Sequence, residues 1–277
     1  MAGAAAKLSV PAASRGRPLV AVNVGNTRTT VALVGDGPPR AGWRLASERR
    51  RTADEYAALL GRAMAALGPT PADVEGVAVA CVVPPLADVW REVSLRLFDR
   101  PAWLYGDGGW YGIEARLDMP LALVGADRLC NAVAARALIG APVLVVDVGT
   151  ATTLDVVGPD GRFAGGAIAP GPDTAAQGLA EAAPHLVRAE RPPADGSVLG
   201  REAGKALAAG LAWGTAAAVD ALVRRARRQP GLEHAPVVAT GGGADALARL
   251  AESVDRVEPW LTHLGLALAA RSRPGAP

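Results

Sequence analysis

Val22-Asn23-Val24-Gly25-Asn26-Thr27 and Val146-Asp147-Val148-Gly149-Thr150-Ala151-Thr152-Thr153 are near copies of one another, 124 residues apart. Each is an apolar strand that breaks at a Gly-centred turn and resumes as apolar strand, residues 31–34 after the first copy and 154–157 after the second. The repetition indicates an internal duplication. A β-hairpin turn with Gly where the backbone must come close to a ligand, followed by Asn or Thr, offers main-chain N–H groups and hydroxyls to a phosphate. Two such hairpins facing each other would grip a nucleotide triphosphate from both sides. Either copy alone reads as an ordinary hairpin; it is the pair that carries the argument.

Outward from the hairpins, the remaining sequence sets the class. A chain of 277 residues fits two modest domains or one large one, and with half its residues apolar and a fifth charged it is a folded protein. The net charge of +2 is too near neutral for a nucleic-acid footprint. The runs Arg49-Arg50-Arg51 and Arg224-Arg225-Ala226-Arg227-Arg228 therefore read as solvated helix faces. Cys81 and Cys130 stand in apolar surroundings without metal-type spacing, so both are expected to be buried, reduced thiols in an intracellular protein. Residues 1–17 are small, basic and Pro-containing, with an apolar run too short for a signal peptide, and are expected to be a disordered tail. No stretch approaches the roughly 18 to 20 continuous apolar residues of a membrane span, so no membrane partner is expected.

Along the chain, strands and helices alternate, which argues for an α/β layer structure. Residues 18–34 read as the first hairpin, 42–47 as a third strand and 53–67 as a helix behind the cap Thr52, with Tyr56, Leu59, Leu60 and Met64 at helical spacing. Residues 74–83 read as a strand ended by Pro84-Pro85, and 86–97 as a helix. The pattern then restarts: helix 125–139, buried strand 143–148, the second hairpin, and a plain turn at residues 158–161. Residues 165–171, Gly-Gly-Ala-Ile-Ala-Pro-Gly, are expected to form a tight loop against a ligand. Helices are expected at 173–183 and 202–228, separated by a Pro-rich segment at 190–198. A strand at 237–239 runs into Thr240-Gly241-Gly242-Gly243 and a helix at 244–251, a strand–loop–helix unit suited to a base and sugar. The division expected is a tail at 1–17, an N-terminal domain at 18–120 and a C-terminal domain at 121–277.

Several motifs fail on their own spacing. Gly200, Gly204, Lys205 and Ala206 imitate a Walker A loop one residue short and without its metal-binding hydroxyl. His185, His234 and His263 share no ligand spacing and are read as surface or turn residues, and there is no Gly-x-Ser-x-Gly elbow. Gly125-Ala126-Asp127-Arg128 differs from these. It places an Asp-Arg pair at the start of an apolar helix, where the dipole favours an anion and a carboxylate can reach a substrate hydroxyl. Capping plus a surface ion pair is the plainer reading of the tetrapeptide by itself. Order shifts the balance: Gly turn, Gly-Ala-Asp-Arg, Gly turn, residues 165–171, then Thr-Gly-Gly-Gly.

That ordered series resembles the type III pantothenate kinases, members of the acetate and sugar kinase/heat-shock 70/actin superfamily. The resemblance runs from about residue 19 to 268 and includes Cys81-Val-Val-Pro-Pro-Leu86, Leu211-Ala-Trp-Gly214 and Leu261-Thr-His-Leu-Gly265. It implies an α/β fold of two actin-like (ribonuclease H-like) domains with a nucleotide cleft between them. It further implies that Asn23, Val24, Gly25, Asn26, Thr27, Arg28, Thr29, Thr30 and Thr150 bind ATP, carried with Mg²⁺, and that Asp147 holds a monovalent cation, K⁺ or NH₄⁺. Gly125, Ala126, Asp127 and Arg128 would bind pantothenate, with Asp127 as general base in forming 4′-phosphopantothenate, the first step of coenzyme A synthesis. A cytoplasmic homodimer is implied in the same way.

Three positions depart from the family pattern. Asn23 stands where the family has an Asp that helps place Mg²⁺, keeping an oxygen and losing its charge. Leu117, across a one-residue insertion, stands where the family has a pantothenate-contacting Tyr. Ala203 stands where the neighbouring subunit would supply a pantothenate-contacting Thr. These departures keep two alternatives open: a non-catalytic paralogue that binds nucleotide or a pantothenate-like ligand as a regulator, and a same-fold kinase of another small hydroxyl compound.

Overall fold

The computed structural model describes residues 17–35, 39, 41–66, 70–183 and 197–275, and among these described residues lie ten strands and seven α-helices. The N-terminal tail, His185 and most of the Pro-rich segment lie outside the described residues. Two compact units emerge, and each has its own five-stranded sheet.

The first unit comprises Met1–Ile113, Asp118–Leu138 and Trp260–Pro277. Its strands are β1 (Leu19–Val24), β2 (Arg28–Val34), β3 (Gly42–Ala46), β4 (Gly76–Cys81) and β5 (Ala102–Leu104), in the order β3-β2-β1-β4-β5. β1 pairs antiparallel with β2 and parallel with β4, so the unit begins as a hairpin and continues through a crossover helix. Helix α1 (Ala53–Ala65) starts at a capping box: Thr52 accepts from the Glu55 N–H, and Glu55 reaches back to the Thr52 N–H at 2.8 Å. Such a cap contributes about 1 kcal/mol. Its inward residues Tyr56, Leu60 and Met64 meet Leu86, Trp90 and Val93 of α2 (Pro84–Phe98) in one core with the β1, β2 and β4 valines. Arg49 and Arg50 are exposed, but in the turn before α1 and not on a helix.

Helices α3 (Ala126–Leu138) and α7 (Leu261–Ser272) belong to this first unit, although both lie in sequence beyond residue 120. The expected single cut at 120/121 therefore differs from the division of the fold. α3 and α7 pack on each other, and α7 also packs on β1, β2 and β4. α7 is apolar nearly all round and α3 buries residues 129–135, so both need cover from neighbouring elements.

The second unit comprises Glu114–Leu117 and Ile139–Pro259. Its strands β6 (Val143–Val148), β7 (Ala151–Val157), β8 (Phe163–Pro170), β9 (Val237–Thr240) and β10 (Arg256–Val257) run in the order β10-β9-β6-β7-β8. β6 pairs antiparallel with β7 and parallel with β9, repeating the pairings of β1 with β2 and β4. The duplication read from the two Gly turns is thus a duplication of sheet topology. α4 (Pro172–Ala182), α5 (Ala203–Ala226) and the short α6 (Ala244–Ala248) complete the unit.

Residues 165–170 are not a loop but most of the edge strand β8, paired with β7 from Ala151↔Pro170 to Val157↔Phe163. Its glycines serve close approach: a Cβ on Gly166 would fall 1.9 Å from the Leu154 carbonyl oxygen, and Gly165 has φ +91° beside an irregularity in the pairing.

Among the described residues one helix, α5, is by length and composition apolar enough to cross a membrane. Its apolar character comes mainly from alanine, leucine and valine. One face of α5 packs Ala216, Val219 and Val223 against Leu144 and Val146 of the sheet, and Asp220 accepts from the Ser253 N–H and hydroxyl at 2.9 and 2.6 Å.

Candidate active site

In the first unit, the turn between β1 and β2 spans Gly25, Asn26 and Thr27, closed by a Gly25 N–H to Arg28 carbonyl bond of 3.1 Å. Asn26, Thr27 and Arg28 are exposed, so this tip presents polar groups outward. Val24 and Thr29 face the other way: Val24 is core, and the Thr29 hydroxyl is buried against Ser47 Oγ at 2.8 Å. Those two can contribute only backbone to a ligand. Asn23 pairs with Thr30 across the hairpin, and its Oδ1 is a buried acceptor with no hydrogen-bond partner. An unmade bond at a buried acceptor costs about 1–3 kcal/mol. A cation or a ligand donor would remove that cost, so the residue present fits an oxygen ligand of Mg²⁺.

Also in the first unit, Gly125 caps α3 with its carbonyl, which accepts from the Leu129 N–H. Asp127, in the first turn, folds back so that Oδ1 accepts from the Arg128 N–H at 2.8 Å. A Cβ at position 125 would lie 2.6 Å from that oxygen, so the Gly of Gly-Ala-Asp-Arg leaves room for the carboxylate. Asp127 keeps an accessible edge, yet the protein packed around its carboxyl pushes its pKa above the ordinary carboxylate value, with the Arg128 N–H and guanidinium opposing the shift. The same burial raises the neighbouring Cys130 thiol well above its usual value. Cys130 is the fully buried free thiol expected; Cys81 is free and half-buried.

In the second unit the β6–β7 turn is tighter, Gly149 and Thr150 only, with a Gly149 N–H to Ala151 carbonyl bond of 2.9 Å. The Thr150 carbonyl is pinned by the Gly171 N–H at 3.0 Å and the Thr174 hydroxyl at 2.6 Å. Gly171 is obligatory there, since a Cβ would meet the Gly149 carbonyl oxygen at 2.0 Å. Asp147 Oδ1 sits against Gly241, whose φ is +88° and whose Cβ would fall 2.3 Å from that oxygen. The Thr-Gly-Gly-Gly loop is thereby seated on the candidate cation ligand, and the Gly243 N–H donates to the Val148 carbonyl at 2.9 Å. Thr152 Oγ1 is another buried hydroxyl without a partner. Among the described residues no three His, Cys, Asp or Glu side chains cluster as a metal site.

Leu117 falls in the second unit, against Gly165, while Gly125 to Arg128 fall in the first. Ala203 is the exposed first residue of α5. His234 is exposed as expected, but His263 is buried in α7 and not a surface residue. Sequence reading missed Gly171 and Thr174 as supports of Thr150, and Thr262 and Gly265 as neighbours of α3. For the latter pair, Thr-x-x-Gly at i,i+3 on an apolar helix was the available signal.

A duplicated sheet with a Gly turn at the same place in each copy, and a half-buried carboxyl at a helix start, is an arrangement suited to phosphoryl transfer. The family model for type III pantothenate kinase matches residues 19–225. The chain belongs to the type III pantothenate kinase family. A type III pantothenate kinase of Roseiflexus sp. is 38% identical over 252 residues, covering 90% of this chain and 97% of that protein. Another, from Thermomicrobium roseum, is 40% identical over 250 residues, covering 90% and 95%. Among solved structures, the activator of 2-hydroxyisocaproyl-CoA dehydratase from Clostridium difficile, with bound ADPNP, matches with TM-score 0.51 at 15% identity over 91% of this chain and 93% of that one. That likeness shows the fold of this kinase alone: two actin-like α/β domains.

Proposed function

We propose that this kinase transfers the γ-phosphoryl group of ATP to the primary hydroxyl of pantothenate, with Asp127 as the general base. The observation that carries the reading is the Asp127 carboxyl, folded over Gly125 at the start of α3 and raised in pKa by burial. In the step, Asp127 takes the hydroxyl proton as the oxygen attacks the γ-phosphorus, the bond to the β-phosphate oxygen breaks, and ADP leaves. Arg128 would hold the pantothenate carboxylate or orient the substrate.

Residues 23–30 and Thr150 are proposed to bind ATP, chiefly through the main-chain N–H groups and hydroxyls of their turns. Asn23 Oδ1 would face Mg²⁺, which when bound spreads the charge developing on the phosphates. Asp147 is proposed as the ligand of K⁺ or NH₄⁺. Asp147→Ala should abolish stimulation by K⁺ over Na⁺ while leaving the far-UV circular dichroism unchanged. A wild type indifferent to monovalent cations would remove this role.

A homodimer forms part of the reading. α4 buries none of its residues, and Ile168, Leu179, Val198 and Leu199 expose apolar surface on the same unit, Leu199 at 78%. A cytoplasmic location follows from the resemblance. The test of the whole reading is release of ADP measured with and without pantothenate: dependence on pantothenate supports it, and dependence on a different hydroxyl compound favours the same-fold alternative that Leu117 and Ala203 motivate.

A further inference from the structure

The segment Leu261-Thr-His-Leu-Gly265 has no place in the chemistry described so far, yet it lies in a helix that packs on α3, β1, β2 and β4 of the first unit. Leu261, Thr262, His263, Leu264 and Gly265 are all buried. Thr262 Oγ1 bonds to Asn131 Oδ1 at 2.7 Å, both residues lying inside the protein. Asn131 is four residues beyond Asp127 on α3, one helical turn away on the same face. Three residues further along α7, a Cβ on Gly265 would fall 1.7 Å from the Cys130 carbonyl oxygen, so the two helices touch backbone to backbone.

The same turn also reaches the first hairpin. His263 is fully buried with neither ring nitrogen in a hydrogen bond of good geometry, its ring at 70° to that of Trp260 with centroids 5.4 Å apart. Burial lowers its pKa to about 4, opposed by the neighbouring Thr30 backbone, so the ring is neutral near pH 7 and serves as packing. Thr30 is the register partner of Asn23. Trp260 in turn fills the space over Gly42 in β3, where a Cβ would lie 2.0 Å from its ring. One turn of helix thus lies against the strand that carries candidate phosphate ligands and the helix that carries the candidate base.

We propose that the Thr262–Gly265 turn of α7 is a positioning element, in which the Thr262–Asn131 hydrogen bond and the Gly265–Cys130 contact fix the Gly125–Arg128 turn of α3 for phosphoryl transfer. The proposal rests on the reading of Asp127 as the base. A base must stand within hydrogen-bond reach of its proton, and a displacement of about 1 Å costs on the order of a hundredfold in rate. Thr262 touches no substrate; it acts through α3.

Thr262→Val keeps the shape and removes the hydroxyl, whereas Thr262→Ser keeps the hydroxyl. Assayed well below the melting temperature of each variant, Thr262→Val should lose about tenfold or more in kcat with KM for ATP within about twofold of wild type. Thr262→Ser should recover kcat to within about threefold. Should Thr262→Val be insoluble, Thr262→Ala, which leaves space without adding bulk, is judged by the same figures. A kcat within about twofold of wild type, with only the melting temperature lowered, overturns the proposal. Asp127→Asn is measured in parallel: full turnover there removes Asp127 as base, while the Thr262 variants still decide whether α7 positions the α3 turn.

Discussion

Asp127→Asn should lose two or more powers of ten in kcat, keep its affinity for ATP, and melt at a higher temperature than wild type at pH 7 to 8. The first part follows from the scale of general-base removal, on the order of 10² to 10⁴ in rate. The second follows from placement, because Asp127 opens α3 while the candidate ATP residues lie on the hairpin turns. The third follows from the direction of the pKa shift. Burial raises the folded-state pKa, so the protonated carboxyl favours the fold. That contribution is fully present below the unfolded value of about 4 and is lost as pH rises through the folded value. Near neutral pH the ionised carboxylate therefore costs stability, and the neutral amide does not. In the wild type, the acid limb of kcat/KM should have its midpoint above the ordinary carboxylate range, since the base acts only when ionised. Turnover near the wild-type rate in Asp127→Asn would remove this residue from the mechanism.

Asn23→Asp is expected to change the enzyme in the opposite sense. The buried Oδ1 has no protein partner, and a neutral amide oxygen holds a hard divalent cation less tightly than a carboxylate. The substitution should lower the Mg²⁺ concentration for half-maximal rate by on the order of tenfold, raise turnover, or both, as added ligand charge does in oxygen sites. Without Mg²⁺ the new charge is desolvated and unpaired, so the variant should melt below wild type and be stabilised more strongly by Mg-ATP. That thermal readout separates metal binding from catalysis. If Mg²⁺ changes neither rate nor melting temperature relative to wild type, another group supplies the missing charge.

The parts of the fold that declared themselves in sequence are those whose signals are local. Val22 to Thr27 and Val146 to Thr153 combine β-branched strands with a Gly turn, and both became hairpins with the same pairings in their sheets. Thr52 and Glu55 announced the start of α1 by their spacing. β8 failed because its glycines, needed where the Leu154 carbonyl approaches, look the same in sequence as the glycines of a loop. The unit boundary failed for a different reason: α3 and α7 join the first sheet by tertiary packing, which no local pattern in residues 126–138 or 261–272 records.

The candidate site divides in the same way. Gly125 and Asp127 were legible as a motif, and the structure supplies the reason for the glycine, room for the carboxylate. Thr150 was legible, but of the two residues that pin its carbonyl, Gly171, 21 residues on, was read only as the end of a ligand-facing loop, and Thr174, 24 residues on, carries no motif of its own. Thr29 and Val24 sat within a legible motif, yet the alternation of a strand turns both side chains inward.

The measurement that bears most directly on the central reading is coupled ADP release by the purified wild type in Mg²⁺ and K⁺, with and without pantothenate, alongside detection of phosphorylated product. The expected result is ADP formed in step with one equivalent of 4′-phosphopantothenate, only when pantothenate is present. ADP release at the same rate in its absence, or no phosphorylated pantothenate at all, would contradict it.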